Sequence, residues 1–307
     1  MNARLQGRAI PSRASRSIAR SKSHATSEFE RIRQNLDGYL VKAVDARKRL
    51  LEQAYDPKQL HAWRVGLRRV TATLNSVSRL SDDRLDDVVT HLRACRETTG
   101  RCRDIDILAQ ETLPAFLREC PVIPPPAATM QQAIAELQGQ AHAQVVASLK
   151  KSSLAIPVQS WRHWAAAVEP PSDQRIRENA AAVIDDRFNV LTRRIAKLNG
   201  GRKRLHRLRA AVKKLRYTME LYQHLFPKRA ANAWLKQLSD LQAHLGLAHD
   251  RLMGRDLVAT LPVPESDQDP IKAFRRWARK SAYDASTKMV QSLTQLDKLS
   301  HYWSKAS

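Results

Sequence analysis

The chain has 307 residues, 53 of them Lys or Arg against 30 Asp or Glu, for a formal net charge of +23. With 43% hydrophobic residues it carries enough apolar material for one sizeable core or two small ones, which excludes a wholly disordered chain. No apolar stretch approaches the roughly 18 residues of a membrane span, and the 9 glycines leave little for a turn-rich β fold or for glycine-rich nucleotide loops.

Residues 1–27 place Arg4, Arg8, Arg13, Arg16, Arg20 and Lys22 among serines, with no acid before Glu28 and no apolar period. We read them as a basic disordered tail. An organelle transit peptide has the same look, but the apolar run of a secretory signal is missing. From Glu28 the pattern turns helical: Phe29, Ile32, Leu36, Leu40 and Ala43 recur at three- and four-residue steps. Similar spacing predicts helices over about 60–80, 85–98, 104–119, 127–150, 176–198, 204–225, 231–247 and 271–298. Breaks are expected at Asp56-Pro57, Pro121–Pro126, Glu169-Pro170-Pro171, Asn199-Gly200-Gly201 and Leu261–Pro270. No alternating Val/Ile/Thr run marks a strand, so the fold class is all-α.

Two segments repeat. Leu60-His61-Ala62-Trp63-Arg64-Val65-Gly66-Leu67-Arg68-Arg69-Val70 aligns, 145 positions on, with Leu205-His206-Arg207-Leu208-Arg209-Ala210-Ala211-Val212-Lys213-Lys214-Leu215. Gly100-Arg101-Cys102-Arg103-Asp104 likewise matches Gly246-Leu247-Ala248-His249-Asp250; in each we expect the glycine to follow a helix. The order of the two motifs indicates a duplicated helical half, 28–155 and 175–305, joined by a linker over 156–174. At about 100° per residue, His61, Arg64 and Arg68 share one side of a helix, and Trp63, Leu67, Val70 and Leu74 the other. The second copy repeats this, with Arg202, His206, Arg209, Lys213 and Arg216 opposite Leu208, Val212, Leu215, Met219 and Tyr222.

These ridges lack compensation. No acidic residue occurs between Asp56 and Asp82, or between Asp186 and Glu220. Surface helices usually mix signs, since opposite charges at i,i+4 stabilise by about 0.2–0.5 kcal/mol and like charges cost a similar amount. Two acid-free ridges in register point to a polyanion gripped between them. The few aromatics fall mostly on apolar faces, unlike the grooves that stack single-stranded bases.

The motif His61/Arg64/Arg68/Arg69 and its second copy His206/Arg209/Lys213/Lys214, which continues Leu215-Arg216-Tyr217-Thr218-Met219-Glu220, resembles the signature of the CHAD family, the conserved histidine α-helical domain. Gly100–Asp106 and Leu241–Asp250 are similar to two further segments of that family, and the resemblance covers roughly 28–305. It implies two helical bundles about a pseudo-two-fold axis, with the basic helices facing across a central cleft. It also implies binding of inorganic polyphosphate, often at polyphosphate granules. The first copy reads Val70-Thr71-Ala72 where the second has Leu215-Arg216-Tyr217, which weights the expected contacts toward the C-terminal half.

The expected polyphosphate contacts are therefore His61, Arg64, Arg68, Arg69, Arg103, His206, Arg209, Lys213, Lys214 and Arg216, with no catalytic residue, metal or cofactor. Neighbouring cations should hold both histidines neutral. Asp104 and Asp250 are read as helix caps or as groups orienting the arginines. Asp82-Asp83 with Asp86-Asp87 is read as a dipole-compensating helix start. His91, Cys95 and Cys102 lack the short recurring spacings of a zinc site and are read as ordinary residues, the cysteines buried. Three cysteines make no disulfide framework and suit a cytoplasmic chain. Glu28-Phe29-Glu30 is similar to the Glu-x-Glu-x-Lys of triphosphate-tunnel hydrolases, but position 32 is Ile and no strand pattern follows. Neither a phosphate loop nor a nucleophile elbow appears. The expectation is a non-enzymatic polyphosphate binder, with nonspecific nucleic-acid binding as the rival and a polyphosphate-processing enzyme third.

Overall fold

The computed structural model describes residues 27–81, 85–121, 127–198 and 201–305. Residues 1–26 of the basic tail, Asp82 and Asp83, and the predicted breaks at 122–126 and 199–200 lie outside them. Among the described residues there is no strand. The helices are α1 (Glu28–Glu52), α2 (Pro57–Val77), α3 (Asp86–Glu97), α4 (Gly100–Ile107), α5 (Leu113–Glu119), α6 (Ala127–Lys151), α7 (Ala155–Ala167), α8 (Asp173–Ala196), α9 (Arg202–Tyr222), α10 (Lys228–Val258) and α11 (Gln268–Leu296). A π turn, Leu108–Thr112, joins α4 to α5, and a 3₁₀ turn at Tyr302–Lys305 ends the described chain. The all-α expectation holds.

Local chemistry explains the starts. The Ser27 hydroxyl accepts from the Glu30 amide at the head of α1, where Glu28 and Glu30 face the helix dipole. Glu28-Phe29-Glu30 is thus a capped helix start. Asp56 caps α2 by accepting from the Lys58 amide at 2.8 Å, with Pro57 in the first turn where no amide hydrogen is needed. The Ser172 hydroxyl does for α8 what Ser27 does for α1. Asp86 and Asp87 open α3 in the expected dipole-compensating position.

The predicted apolar faces are buried: Trp63, Leu67, Val70 and Leu74 on α2, and Leu208, Val212, Leu215, Met219 and Tyr222 on α9, are all 0% exposed. Each such side chain contributes roughly 1.5–3 kcal/mol on leaving water. Helices α2 and α9 are 21 residues each and begin 145 positions apart. They pack against each other, and at their C-terminal ends the hydroxyls of Ser76 and Tyr222 meet at 2.8 Å. Asn179 of α8 donates to the Ser76 carbonyl at 3.1 Å.

Two expectations need correction. Residues 156–174, read as a linker, contain most of α7, whose Trp161 is buried and donates to Asp37 of α1 at 2.8 Å. At the chain's other end Trp303 donates to Asp185 of α8 at 3.3 Å, so α7 does for α1 what the final turn does for α8. The buried face of α7, Trp161, Trp164 and Ala165, is short and lies between prolines, which hides its spacing. Second, α10 runs on to Val258, through Gly246, because tertiary packing outweighs one glycine's weak propensity; only Gly100 follows a helix end. The packing also joins the two predicted halves. One apolar cluster extends from Phe29 to Trp303, and a smaller one joins Leu108, Phe116 and Met130 to Val258 and Phe274.

The crossing of α1 and α2 depends on Gly66. A Cβ there would sit 3.0 Å from the Ala43 Cβ and 3.3 Å from the Tyr39 carbonyl, so only glycine lets α1 and α2 approach this far. Gly66→Val is expected to cost about 1–3 kcal/mol by overpacking, read as a lower thermal unfolding midpoint. An unchanged midpoint would show that the crossing tolerates a side chain.

Candidate functional site

The apolar stripes on α2 and α9 leave their opposite faces to form the wall of a cavity of about 580 Å³. Helix α2 supplies Arg64, Arg68, Thr71, Ala72 and Asn75, and α9 supplies His206, Arg209, Lys213, Lys214, Tyr217 and Thr218. Arg93 and Arg96 enter from α3 and Arg187 from α8. Eight Arg or Lys side chains thus surround the space, against the single carboxylate of Glu97. That carboxylate lies 3.9 Å from Arg96 and points largely to solvent.

The repeat motifs explain how two of the arginines are seated. The Arg64 Nη1 donates to the Arg96 carbonyl at 2.6 Å and to the Thr99 hydroxyl at 2.7 Å. It lies 4.0 Å from where a Cβ on Gly100 would stand. Arg209 lies over Gly246 in the same way, with Nη2 at 3.7 Å and Nε at 3.9 Å from that position. The paired glycines therefore give each guanidinium a seat, and anything larger than alanine would displace it. The Asp250 Oδ1 stands 4.0 Å from the Arg209 Nη2, and Asp104 acts on Arg64 and Arg209. Both aspartates lie within helices, so of the two expected roles they orient arginines and do not cap.

The charge is crowded enough to shift its own titration. Burial and then repulsion from Arg209 and Arg68 pull Lys213 down to about 6, with Asp250 opposing. Burial, then Arg68, lowers Arg64 to about 10. Arg68, Arg96, Arg187 and Lys214 shift downward too, burial again leading. His61 and His206 are held more neutral than usual, chiefly by burial and then by neighbouring arginines, and His249 falls to about 4. Burial pushes Asp250 up to about 6 although Arg209 draws it back. Buried Nε groups of Arg64 and Arg209 have no hydrogen-bond partner among the described residues. An unmet donor of this kind costs about 1–3 kcal/mol.

The expected contacts divide. Arg64, Arg68, His206, Arg209, Lys213 and Lys214 line the cavity together. His61 stands outside its wall, near Arg103 and Arg68. Arg103 pairs with Glu111 at 3.2 Å. Arg69 and Arg216 turn away to share Glu220, at 3.3 and 2.8 Å, and Arg216 lies over the Tyr217 ring. The weighting toward the C-terminal half drew on Arg216, which is engaged elsewhere, while Thr71 and Ala72 do reach the cavity.

Three cavity arginines escaped sequence reasoning. Arg93 and Arg96 have i,i+3 spacing on α3, which alone reads as an ordinary solvated face. Arg187 follows Asp185-Asp186, which masks it, yet Asp186 pairs instead with Arg79 at 2.7 Å. Tyr217 also lines the space, so one aromatic is present where none was needed.

The comparisons agree with this architecture. The chain is similar to the crystal structure of the CHAD domain from the plant Ricinus communis, with a TM-score of 0.69 and 20% identity, covering 90% of this chain and 93% of that one. It is also similar to PptA from Streptomyces chartreusis, with a TM-score of 0.66 and 16% identity, covering 88% and 100%. At such identities the likeness speaks for the fold. No curated protein matches. The model of the CHAD domain matches residues 34–259, most of the helical chain and all the cavity-lining residues, and the chain belongs to the CHAD family.

Proposed function

We propose that this chain is a non-enzymatic receptor for inorganic polyphosphate, bound in the α2–α9 cavity. The observation that carries the reading is the convergence of eight cations on one space with a single solvent-facing carboxylate. Polyphosphate is a flexible chain with a negative charge on every internal phosphate and no bases to read. Recognition needs a ladder of Arg and Lys, and the planar guanidinium fork grips two phosphate oxygens at once. His206, kept neutral, offers a hydrogen bond without adding to the repulsion. The same chemistry would place the protein at polyphosphate granules in the cytoplasm. Nucleic acid is the rival ligand, favoured by the exposed basic first turns of α9 and by Tyr217 as a stacking surface.

A competition titration separates the two. Affinity for long-chain polyphosphate should fall log-linearly with salt, and duplex DNA or RNA of equal charge concentration should compete poorly. Nucleic acid winning that competition would overturn the reading. The joint substitution Arg209→Ala, Lys213→Ala, Lys214→Ala should cost at least about a hundredfold in affinity at roughly 1.5–3 kcal/mol per charged contact, with helicity intact. Arg216→Ala, which breaks the Glu220 pair, should change affinity far less. Equal losses in the two variants would move the site away from the cavity.

Binding should also take up protons. Above about pH 6 the empty cavity holds much of Lys213 unprotonated, and a bound polyanion restores the proton. Asp250, pushed up to about 6, is ionised in the same range and is likewise driven toward its protonated form by a neighbouring anion. Both contributions have one sign, so affinity should rise as pH falls from about 8 to about 6. Calorimetry in buffers of different ionisation enthalpy reads the uptake directly, and Lys213→Gln should flatten the dependence. Proton release on binding would contradict it.

A further inference from the structure

Behind the cavity, on the other side of α4, lies a second cluster that plays no part in holding an anion. Helix α4 places Cys102 and Asp106 one turn apart, about 40° from each other and some 200° from Asp104, which acts on the cavity arginines. Helix α6 brings His142 to the same point. The Cys102 sulfur, an Asp106 carboxylate oxygen and a His142 ring nitrogen all lie within 4.8 Å of one another. We propose that Cys102, Asp106 and His142 form a binding site for a divalent transition metal ion, Zn²⁺ by their chemistry.

The donor set selects the metal class. A thiolate and an imidazole beside a carboxylate suit Zn²⁺, and a hard ion such as Mg²⁺ or Ca²⁺ does not take sulfur. Tetrahedral zinc at bond lengths of about 2.0–2.3 Å keeps its ligand atoms roughly 3.3–3.8 Å apart, so the metal would draw the sulfur in by about 1.5 Å at most and open the 2.9 Å hydrogen bond between the His142 Nε2 and the Asp106 Oδ1 by a few tenths of an ångström. Binding replaces the Cys102 S–H bond by an S–Zn bond and releases that proton to solvent.

The surroundings are those of a ligand shell. Gln138 donates to the Asp106 Oδ1 at 3.0 Å. The Tyr55 ring stacks on His142 at 3.6 Å and fixes its plane. The Tyr55 hydroxyl stands 3.1 Å from the Cys102 sulfur and donates to the Asp106 Oδ2 at 2.9 Å, so it holds two of the three side chains together. Such outer contacts orient ligands in metal sites generally.

Charge supplies the strongest argument. Asp106 is 0% exposed, and its sole ion-pair partner among the described residues is His142 at 2.9 Å, charged only when protonated. A buried carboxylate without a cation is costly, and a dication among its oxygens, a thiolate and a neutral imidazole balances it. His142 retains 23% side-chain exposure and provides the way in. The metal would pin α4, which bears Gly100 and Asp104 on its cavity side, to α6.

The test uses the tag-free full chain, stripped with a chelator and free of polyphosphate. Titration with Co²⁺ should give one equivalent bound and a thiolate-to-cobalt charge-transfer band, with Zn²⁺ displacing it. Cys102→Ser should abolish the band, and His142→Gln should weaken uptake by at least about tenfold. Gln138→Ala, which keeps all three ligands, should weaken it about 10–100-fold. If a ligand variant fails to fold, the wild-type cobalt spectrum decides alone. Absence of the band, or equal uptake by wild type and variants, would mean that the cluster is a closed hydrogen-bond network and would overturn the proposal.

Discussion

Repulsion among like charges is the constraint on which this structure turns. Arg64, Arg68, Arg209 and Lys213 crowd into one cavity, and two unit charges a few ångströms apart near a protein surface repel by several kcal/mol. Left to themselves, the basic faces of α2 and α9 would separate. What prevents it lies on the other side of the same two helices, where Trp63, Leu67, Leu215 and Tyr222 are sealed into one continuous apolar cluster. The core holds the cations at a spacing they would not choose. A polyanion bound there, as proposed, would relieve the repulsion as well as add its own attraction, which is preorganisation in the electrostatic sense.

The repeated motif follows the same logic residue by residue. In the second copy, His206 three positions before Arg209 puts a hydrogen-bonding ring, held toward its neutral form, beside the cation without adding charge. The glycine on the facing helix leaves no side chain under the guanidinium, whose nitrogens lie 4.0 Å from a Cβ position at Gly100 for Arg64 and 3.7–3.9 Å from one at Gly246 for Arg209. The aspartate four residues later limits the repulsion without quenching it, since Asp104 and Asp250 are themselves drawn toward their protonated forms by burial. Motif spacing here encodes contacts between helices.

Much of this was legible in the chain. Three- and four-residue apolar spacing gave the helices and their buried faces, and the 145-residue offset paired α2 with α9 before any coordinates. Six of the ten expected contacts line one cavity. Arg69 and Arg216 were misjudged because a linear motif cannot show that Glu220 comes within reach of both. Arg93, Arg96 and Arg187 were missed because their neighbours in sequence look like those of any solvated helix. The cluster of Cys102, Asp106 and His142 was missed for the same reason: the trio examined by spacing was His91, Cys95 and Cys102, whereas His91 in fact meets the Ser153 carbonyl.

The sequence by itself determined the all-α class and which face of each repeated helix is buried and which is basic. Helical periodicity is local, and a ridge's sign is a sum over residues on one helix. Only the tertiary structure decided which cations share the cavity, which are already spent on carboxylates, and which ligand-bearing side chains converge behind α4. Those outcomes depend on distances between helices, set by the packing of the whole core and by single close approaches such as Gly66 against Ala43.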